Sequence, residues 1–408
     1  MSLYIHIFNE SPVKLWGLTN AQRIRRELAQ YLRKNSITGL DSGAGIAFVE
    51  SLEGIPADGI LVLFRGDYIY DVRVMANLID APDTLLRVDA GKTSVTVAAR
   101  TTGELAARVK AHIQGADVEL PPGLKNETLE TLVPPSQIRL KKAQAAFALP
   151  VNRDNARQLE HHLFKNAYKG VTDLVTKWVW PVPARWVTRL CVRLGLMPNH
   201  VTAVSWVLAV LAGVLFYQGD LAAGLVMGWI MTFLDTVDGK LARVTVTSSP
   251  LGNYFDHVLD LLHPPFWYMA WGLGLVSFET LLLPADLTLL ILLIFVGYIA
   301  GRLVEGAFSQ WLGSFGIYSW HRIDSFTRLI TARRNPCLIL MTAGWLAGRP
   351  DLALEAVTVW TLVSSLFLIV RLLMAVQSRY TKGPLHSWLT EIGPHGEDRS
   401  LAARWFRH

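Results

Sequence analysis

The chain has 408 residues, 51% of them hydrophobic and only 18% charged, with 14 tryptophans and a net charge of +6. A soluble domain usually carries about a quarter charged residues, and the deficit falls after about residue 200, so a wholly soluble globule is excluded. Two distant cysteines, Cys191 and Cys337, exclude a disulfide framework, and the positive charge of so apolar a chain points to loops beside anionic lipid rather than to nucleic acid.

The first segment, MSLYIHIFNE, lacks the basic start and long apolar run of a secretory signal. Residues 1–115 alternate strand-like and amphipathic stretches. LYIHIF, ILVLF at 60–64, YIYDVRV at 68–74 and SVTVAA at 94–99 read as strands, and 21–35 and 102–114 as helices. That alternation predicts a small cytoplasmic α/β domain with a largely parallel sheet. The strand ending in Gly66-Asp67 would place a carboxylate at the ligand-binding edge of such a sheet. It resembles the Gly-Asp metal site of sugar-type nucleotidyltransferases, and PVKLWGLTNAQRIRREL (12–28) is similar to the segment after their signature loop. Here Asn9-Glu10-Ser11 stand where that family has a glycine-rich loop, and the domain is about half the family's length. The expectation is therefore a degenerate domain kept for docking or stability in preference to a working cytidylyltransferase, and Asp67 alone reads equally well as a turn residue after the strand. Residues 116–170, with Pro121-Pro122, Pro134-Pro135 and Pro150, read as a linker.

The chain then turns basic and aromatic. Arg185, Arg189 and Arg193 recur every four residues after Trp178 and Trp180, as in a helix lying in the membrane interface. Six candidate spans follow, at about 201–218, 221–243, 254–277, 283–309, 335–348 and 353–376. The loops YQGD, Glu279 with Asp286, and Arg349 carry little positive charge. Lys240, Arg243, Arg322, Arg328, Arg333, Arg334, Arg379 and Lys382 lie on the opposite side. The positive-inside rule places that side, the front domain and both termini in the cytoplasm. The expected architecture is an interfacial helix plus six transmembrane helices over 171–382, with a cytoplasmic tail at 383–408.

The chemistry concentrates in 235–260, DTVDGKLARVTVTSSPLGNYFDHVLD. A carboxylate at membrane depth costs about 3 kcal/mol unless paired, hydrated or bound to a cation. Asp235 and Asp238 share one helix face, Asp256 and Asp260 share another, and a turn at Ser248-Ser249-Pro250 can bring the two faces together. Oxygen-only ligands suit Mg²⁺ or Mn²⁺, and such a set can hold two of them. Gly239, Ala242 and Gly252 leave room beside the carboxylates for a bulky ligand, and Arg243 can pair with a phosphate. Standing alone, the small residues would by default be read as close helix–helix packing. An ion pathway is the competing use of the acids.

These residues follow D-x-x-D-G-x-x-A-R-x8-G-x-x-x-D-x-x-x-D at every fixed position, and MPNHVT (197–202) supplies a Pro-Asn-x-x-Thr segment before the first span. The pattern resembles the CDP-alcohol phosphotransferase family over about the last 220 residues. A cytoplasmic nucleotidyltransferase-like domain ahead of it resembles fusions that make inositol-type phospholipids. The resemblance implies an integral membrane transferase of phospholipid biosynthesis. It would move a substituted phosphate from a CDP-alcohol, such as CDP-diacylglycerol, to an alcohol acceptor, such as inositol phosphate or another polyol phosphate, and release CMP. It implies that Asp235, Asp238, Asp256 and Asp260 hold two divalent cations and that Asp260 takes the acceptor's proton. Gly239, Ala242, Arg243, Gly252, Asn199 and Thr202 would bind the donor. Arg333, Arg334 and Arg302 are acceptor candidates, though Arg302 can instead pair with Glu305 three residues on, and Lys169-Gly170 and Arg185 are further candidates. The resemblance also implies homodimerisation through the spans. The same chemistry with a soluble CDP-headgroup donor and a lipid acceptor stays open. An ion-coupled transporter would want interrupted helices and mid-membrane polar groups, and a catalytically dead anchor sits poorly with an intact signature.

Overall fold

The computed structural model describes residues 3–35, 46–91, 93–134, 137, 141–248, 250–275, 284–392 and 398–407; within 250–275 the side chain of Asp256 lies outside this description. Glu279 and Ser249, used above for the loops, also lie outside the described residues. The chain divides into two compact units, Met1–Ile138 with Gln144–Leu163, and Arg139–Ala143 with Phe164–His408.

The first unit runs β1 (Leu3–Phe8), α1 (Asn20–Asn35), β2 (Ile46–Val49), β3 (Ile60–Arg65), β4 (Tyr68–Tyr70), α2 (Val72–Asp80), β5 (Thr84–Ala90), β6 (Thr93–Thr102), α3 (Ala106–Ile113), β7 (Lys125–Glu127), α4 (Leu129–Leu132) and β8 (Ala148–Pro150), and takes in most of α5 (Ala156–Asn166). Six strands form one sheet in the order β2-β1-β3-β6-β5-β7. Side chains alternate along β3: Val62 and Phe64 enter the core shared with α1 and α2, and Leu61 and Leu63 enter the core under α3. A strand covered on both faces reads as a continuous apolar run, which is why ILVLF was legible.

The sheet is mixed rather than largely parallel. β1 pairs parallel with β2 and β3, whereas β6 is antiparallel to both β3 and β5. The cause is the short turn at Gly91 (φ +79°), which folds β5 back on β6 as a hairpin, and so short a connection permits only antiparallel pairing. The strand expected over 68–74 is also corrected. It stops at Tyr70, because the Asp71 side chain accepts the Arg73 N–H and caps a helix whose buried face is Val74, Met75, Leu78 and Ile79. Residues 116–163 are more than a connection: β7 adds to the sheet edge, β8 pairs with β4, and Leu132 and Val133 are buried. Asp67 is gripped by Arg65, at 2.9 Å from Nε and 2.6 Å from Nη2, as befits a turn residue rather than an open metal ligand.

The second unit begins with the end of α5 and continues through a π-helical turn (Val175–Val179), α6 (Pro181–Arg193), α7 (Pro198–Tyr217), α8 (Leu221–Val244), α9 (Pro250–Leu275), α10 (Pro284–Ala307), α11 (Arg322–Ile330), α12 (Arg334–Leu346), α13 (Pro350–Lys382) and α14 (Leu401–Phe406). Among the described residues four helices are long and apolar enough to cross a membrane: α7, α8, α10 with its extension to Leu312, and α13. The third expected span falls on α9 and the fifth on α12. With 13 residues α12 measures about 20 Å, against a hydrocarbon thickness of about 30 Å. The helices pack on Phe216, Trp267 and Trp271, and the two indoles donate to the carbonyls of Ala209 (2.8 Å) and Pro350 (3.0 Å). Val207, Val210, Leu292, Val296, Val363 and Leu366 face outward, an apolar exterior that suits lipid. On α6, Val182, Trp186 and Leu190 are exposed while Ala184, Thr188 and Cys191 are buried, so the helix presents an apolar stripe beside its arginines.

Candidate active site

The motif's spacing acts through two helices. On α8, Asp235 and Asp238 lie one turn apart; α9 supplies Asp260 from the other side. α12 joins them at its first residue. Arg334 forks between the carboxylates, with Nη2 2.5 Å from Asp235 Oδ2 and Nη1 2.6 Å from Asp260 Oδ1. One planar guanidinium thus draws two acids from different helices onto a single positive centre, the geometry at which arginine excels. Asp238 is held separately: Thr202 donates to its Oδ2 at 2.6 Å. That contact explains the Pro-Asn-x-x-Thr segment, because Thr202 lies one turn into α7 and faces α8.

Beside this acidic end opens a cavity of about 270 Å³. Its charged lining is Lys141, Lys169, Lys240, Arg243, Arg328, Arg333 and Arg334, against Asp173, Asp235, Asp260 and Glu305. Glu305 on α10 gathers a second network: Arg302 Nη2 approaches its Oε1 at 2.5 Å, Tyr318 donates to the same oxygen at 2.8 Å, and Arg333 pairs with Oε2. The Lys240 amine stands 3.7 Å from the Tyr168 ring, and Arg243 Nε donates to the Ala167 carbonyl at 2.8 Å. Gly239 carries no Cβ where one would lie 2.9 Å from Arg243 Nη2, so the guanidinium can fold back over the helix.

The segment before α6 closes one wall. Asp173 accepts from the backbone N–H groups of Val175 (3.1 Å) and Thr176 (3.0 Å) and from Asn335 Nδ2 (2.9 Å), which ties it to the residue after Arg334. Burial raises the Asp173 pKa, but the Arg328 charge and these hydrogen bonds outweigh it and hold the carboxyl below its usual range. Burial, then the charge of Arg333, brings Arg328 down to about 10. Lys141 falls to about 8 through loss of hydration and then through the positive charges of Lys169, Arg328 and Arg333, with Glu305 pulling the other way.

The structure brings Asp235, Gly239, Arg243, Asp260, Arg333 and Arg334 to one cavity, together with Lys169. Asn199, Thr202, Ala242, Gly252, Arg302 and Arg185 are not among its described lining residues. Thr202 acts on Asp238, Arg302 pairs with Glu305 as its spacing suggested, and Asn199 is exposed at the start of α7. Among the described residues no three His, Cys, Asp or Glu side chains form a metal-sized group, and Asp256 stands outside that description. The donor set nevertheless fits hard divalent cations. All four acids supply oxygen only, and Asp235 and Asp260 already share one cationic partner. Sequence reasoning missed Lys141, Asp173, Thr176 and Arg328. Asp173 carries a local signal, an Asp ahead of a helical turn; Lys141, inside an apparent linker, carries none.

Comparison with known proteins places residues 195–363 on a family profile described as CDP-alcohol phosphatidyltransferase. Archaetidylinositol phosphate synthase of Pyrococcus horikoshii is 33% identical over 81 residues, which are 20% of this chain and 43% of that protein. Choline/ethanolaminephosphotransferase 1 of Arabidopsis thaliana is 40% identical over 91 residues, 19% of this chain and 23% of its own. The bifunctional IPC transferase and DIPP synthase of Rubrobacter xylanophilus is 29% identical over 161 residues, 40% of this chain and 34% of its own. The chain spans less than half the length of each of these relatives.

Proposed function

We propose that this chain, which carries a CDP-alcohol phosphatidyltransferase domain over residues 195–363, is an integral membrane enzyme of phospholipid biosynthesis. It transfers a substituted phosphate from a CDP-alcohol to an alcohol acceptor and releases CMP. The observation that carries this reading is the juncture of Asp235 and Asp260 on one cationic centre at the mouth of a cavity with a surplus of positive charge.

Asp235, Asp238, Asp256 and Asp260 would hold two divalent cations, Mg²⁺ or Mn²⁺. Bound there, such cations would supply charge neutralisation of the diphosphate, so that CMP could leave. The residues do the rest. Thr202 fixes the rotamer of Asp238. Gly239, Ala242 and Gly252 leave room for the CDP moiety, Arg243 pairs with its phosphate, and Asn199 borders the donor at the start of α7. The acceptor oxygen forms its bond to the β-phosphorus as the bond from that phosphorus to the CMP oxygen breaks, and the hydroxyl proton passes to Asp260. Oδ1 of Asp260 accepts from Arg334, so Oδ2 is the oxygen that takes the proton.

The basic end supports an acceptor that itself carries a phosphate, a polyol phosphate, with Arg333 and Arg328 nearest to it and Arg302 aligning Arg333 through Glu305. That choice makes CDP-diacylglycerol the donor. The identity to a choline/ethanolaminephosphotransferase favours the second reading, a soluble CDP-headgroup with a lipid acceptor. In the membrane we read α9 and α12 as the third and fifth of six spans, with the basic loops, the cavity mouth and the first unit in the cytoplasm.

Purified protein supplied with CDP-diacylglycerol, a polyol phosphate and Mg²⁺ or Mn²⁺ should release CMP in proportion to lipid product. No CMP with either class of donor, with metal present, rejects the reading. Release only with a CDP-headgroup and diacylglycerol selects the second one.

A further inference from the structure

The matched family domain starts at residue 195, yet two cations of the cavity, Lys141 and Lys169, precede it. Their placement is built, not incidental. Residues Arg139–Ala143 belong to the second unit although the chain on both sides of them belongs to the first. This strap is pinned where three segments meet at Gly170. A Cβ there would lie 2.4 Å from the Lys141 carbonyl oxygen, 2.6 Å from Lys142 Cβ and 2.8 Å from the Phe406 carbonyl oxygen. Only glycine fits so close an approach of backbones. Lys177 donates to the Gly170 carbonyl at 2.8 Å and lies 5.2 Å from the Phe406 ring. Phe406 is fully buried against Phe326 and Trp388, so α14 at the far end of the chain braces the strap. The Lys141 amine then reaches over Gly316, where an added Cβ would stand 3.3 Å from Nζ.

Arg333 and Arg334, two of the four cavity arginines that lie within the matched stretch, are paired with Glu305 and with Asp235 and Asp260. The two upstream lysines add charge to the same cavity, Lys141 within electrostatic reach of Lys169, Arg328, Arg333 and Glu305. Ammonium groups there, beside the Arg328 guanidinium, match a tetrahedral dianion rather than a neutral hydroxyl.

We propose that Lys141 and Lys169 are specificity residues that bind a phosphate group on the acceptor, so that a strap and loop outside the family domain, braced by the C-terminal helix, set which acceptor is used. This rests on the transfer reaction proposed above.

The test uses the full chain with CDP-diacylglycerol and Mg²⁺, and two acceptors, inositol phosphate and unphosphorylated inositol. Lys141→Ala and Lys169→Ala should each raise the KM for the phosphorylated acceptor by about tenfold or more, with kcat changing by less than about threefold. The preference for the phosphorylated acceptor should shrink accordingly. Lys141→Arg should restore most of it, and Gly170→Ala, which leaves both charges in place, should shift KM in the same direction. A KM for inositol phosphate that stays within twofold of the unsubstituted enzyme in both lysine variants overturns the proposal, as does an equal loss with both acceptors. No CMP release by the unsubstituted protein with any donor would instead overturn the transfer reading on which it rests.

Discussion

Asp260 has two neighbours that decide its use, Arg334 at Oδ1 and the Tyr298 hydroxyl at its backbone carbonyl. Asp260→Asn keeps the size of the side chain and one oxygen that can accept from Arg334, but removes the base. We expect it to abolish CMP release while metal-dependent binding of the CDP-alcohol, measured by quenching of tryptophan fluorescence, is retained. Loss of that binding would make Asp260 chiefly a cation ligand. Arg334 changes its role relative to the sequence reading. An acceptor-binding arginine is rescued by more acceptor, but one that clasps Asp235 and Asp260 is not. Arg334→Ala should therefore keep its deficit at saturating acceptor, whereas the deficit of Arg333→Ala should shrink. The acids themselves were legible because their chemistry and spacing are local. Their common partner was not, because it lies 99 residues from Asp235, and only the fold brings α12 to α8.

At the scale of elements, the helices and strands with one strong period were legible, and those decided by a cap or a hairpin were not. α2 begins two residues after β4 because Asp71 satisfies the Arg73 N–H, a contact that outweighs the β-propensity of the Val72 and Val74 side chains. The segment 116–170 reads as a linker because its strands are three residues long and its prolines dominate the pattern. The strap within it carries the clearest pH dependence. Lys141, lowered to about 8, is charged below that pH and loses its proton above it. Its neighbours Lys169, Arg328 and Arg333 push its pKa down and Glu305 pulls it up, and a phosphate monoester with its second pKa near 6 remains a dianion across that range. The KM for a phosphorylated acceptor should thus rise as pH passes upward through about 8, and Lys141→Ala should flatten that rise; an unaltered profile in the variant would assign it to another group.

At the scale of the whole molecule, the apolar exteriors of α7, α10 and α13 require lipid, since exposure of that area to water is unfavourable by about 25 cal/mol per Å². The full chain should stay in the membrane pellet after alkaline carbonate extraction and leave it only with detergent. On the reading proposed above, chelation of divalent cations should stop CMP release, and re-addition of Mg²⁺ or Mn²⁺ should restore it, because oxygen-only donors suit these hard cations. The sequence by itself determined the two-part organisation, the apolar helices and the acids of the motif, since period, hydropathy and ligand type are local properties of a chain. Tertiary structure alone decided that Arg334 ties Asp235 to Asp260, that Thr202 donates to Asp238, and that Lys141 enters the cavity. Each of those depends on long-range packing: a glycine with no room for a methyl group, a helix that starts at the right residue, and a strap that leaves one unit to complete another.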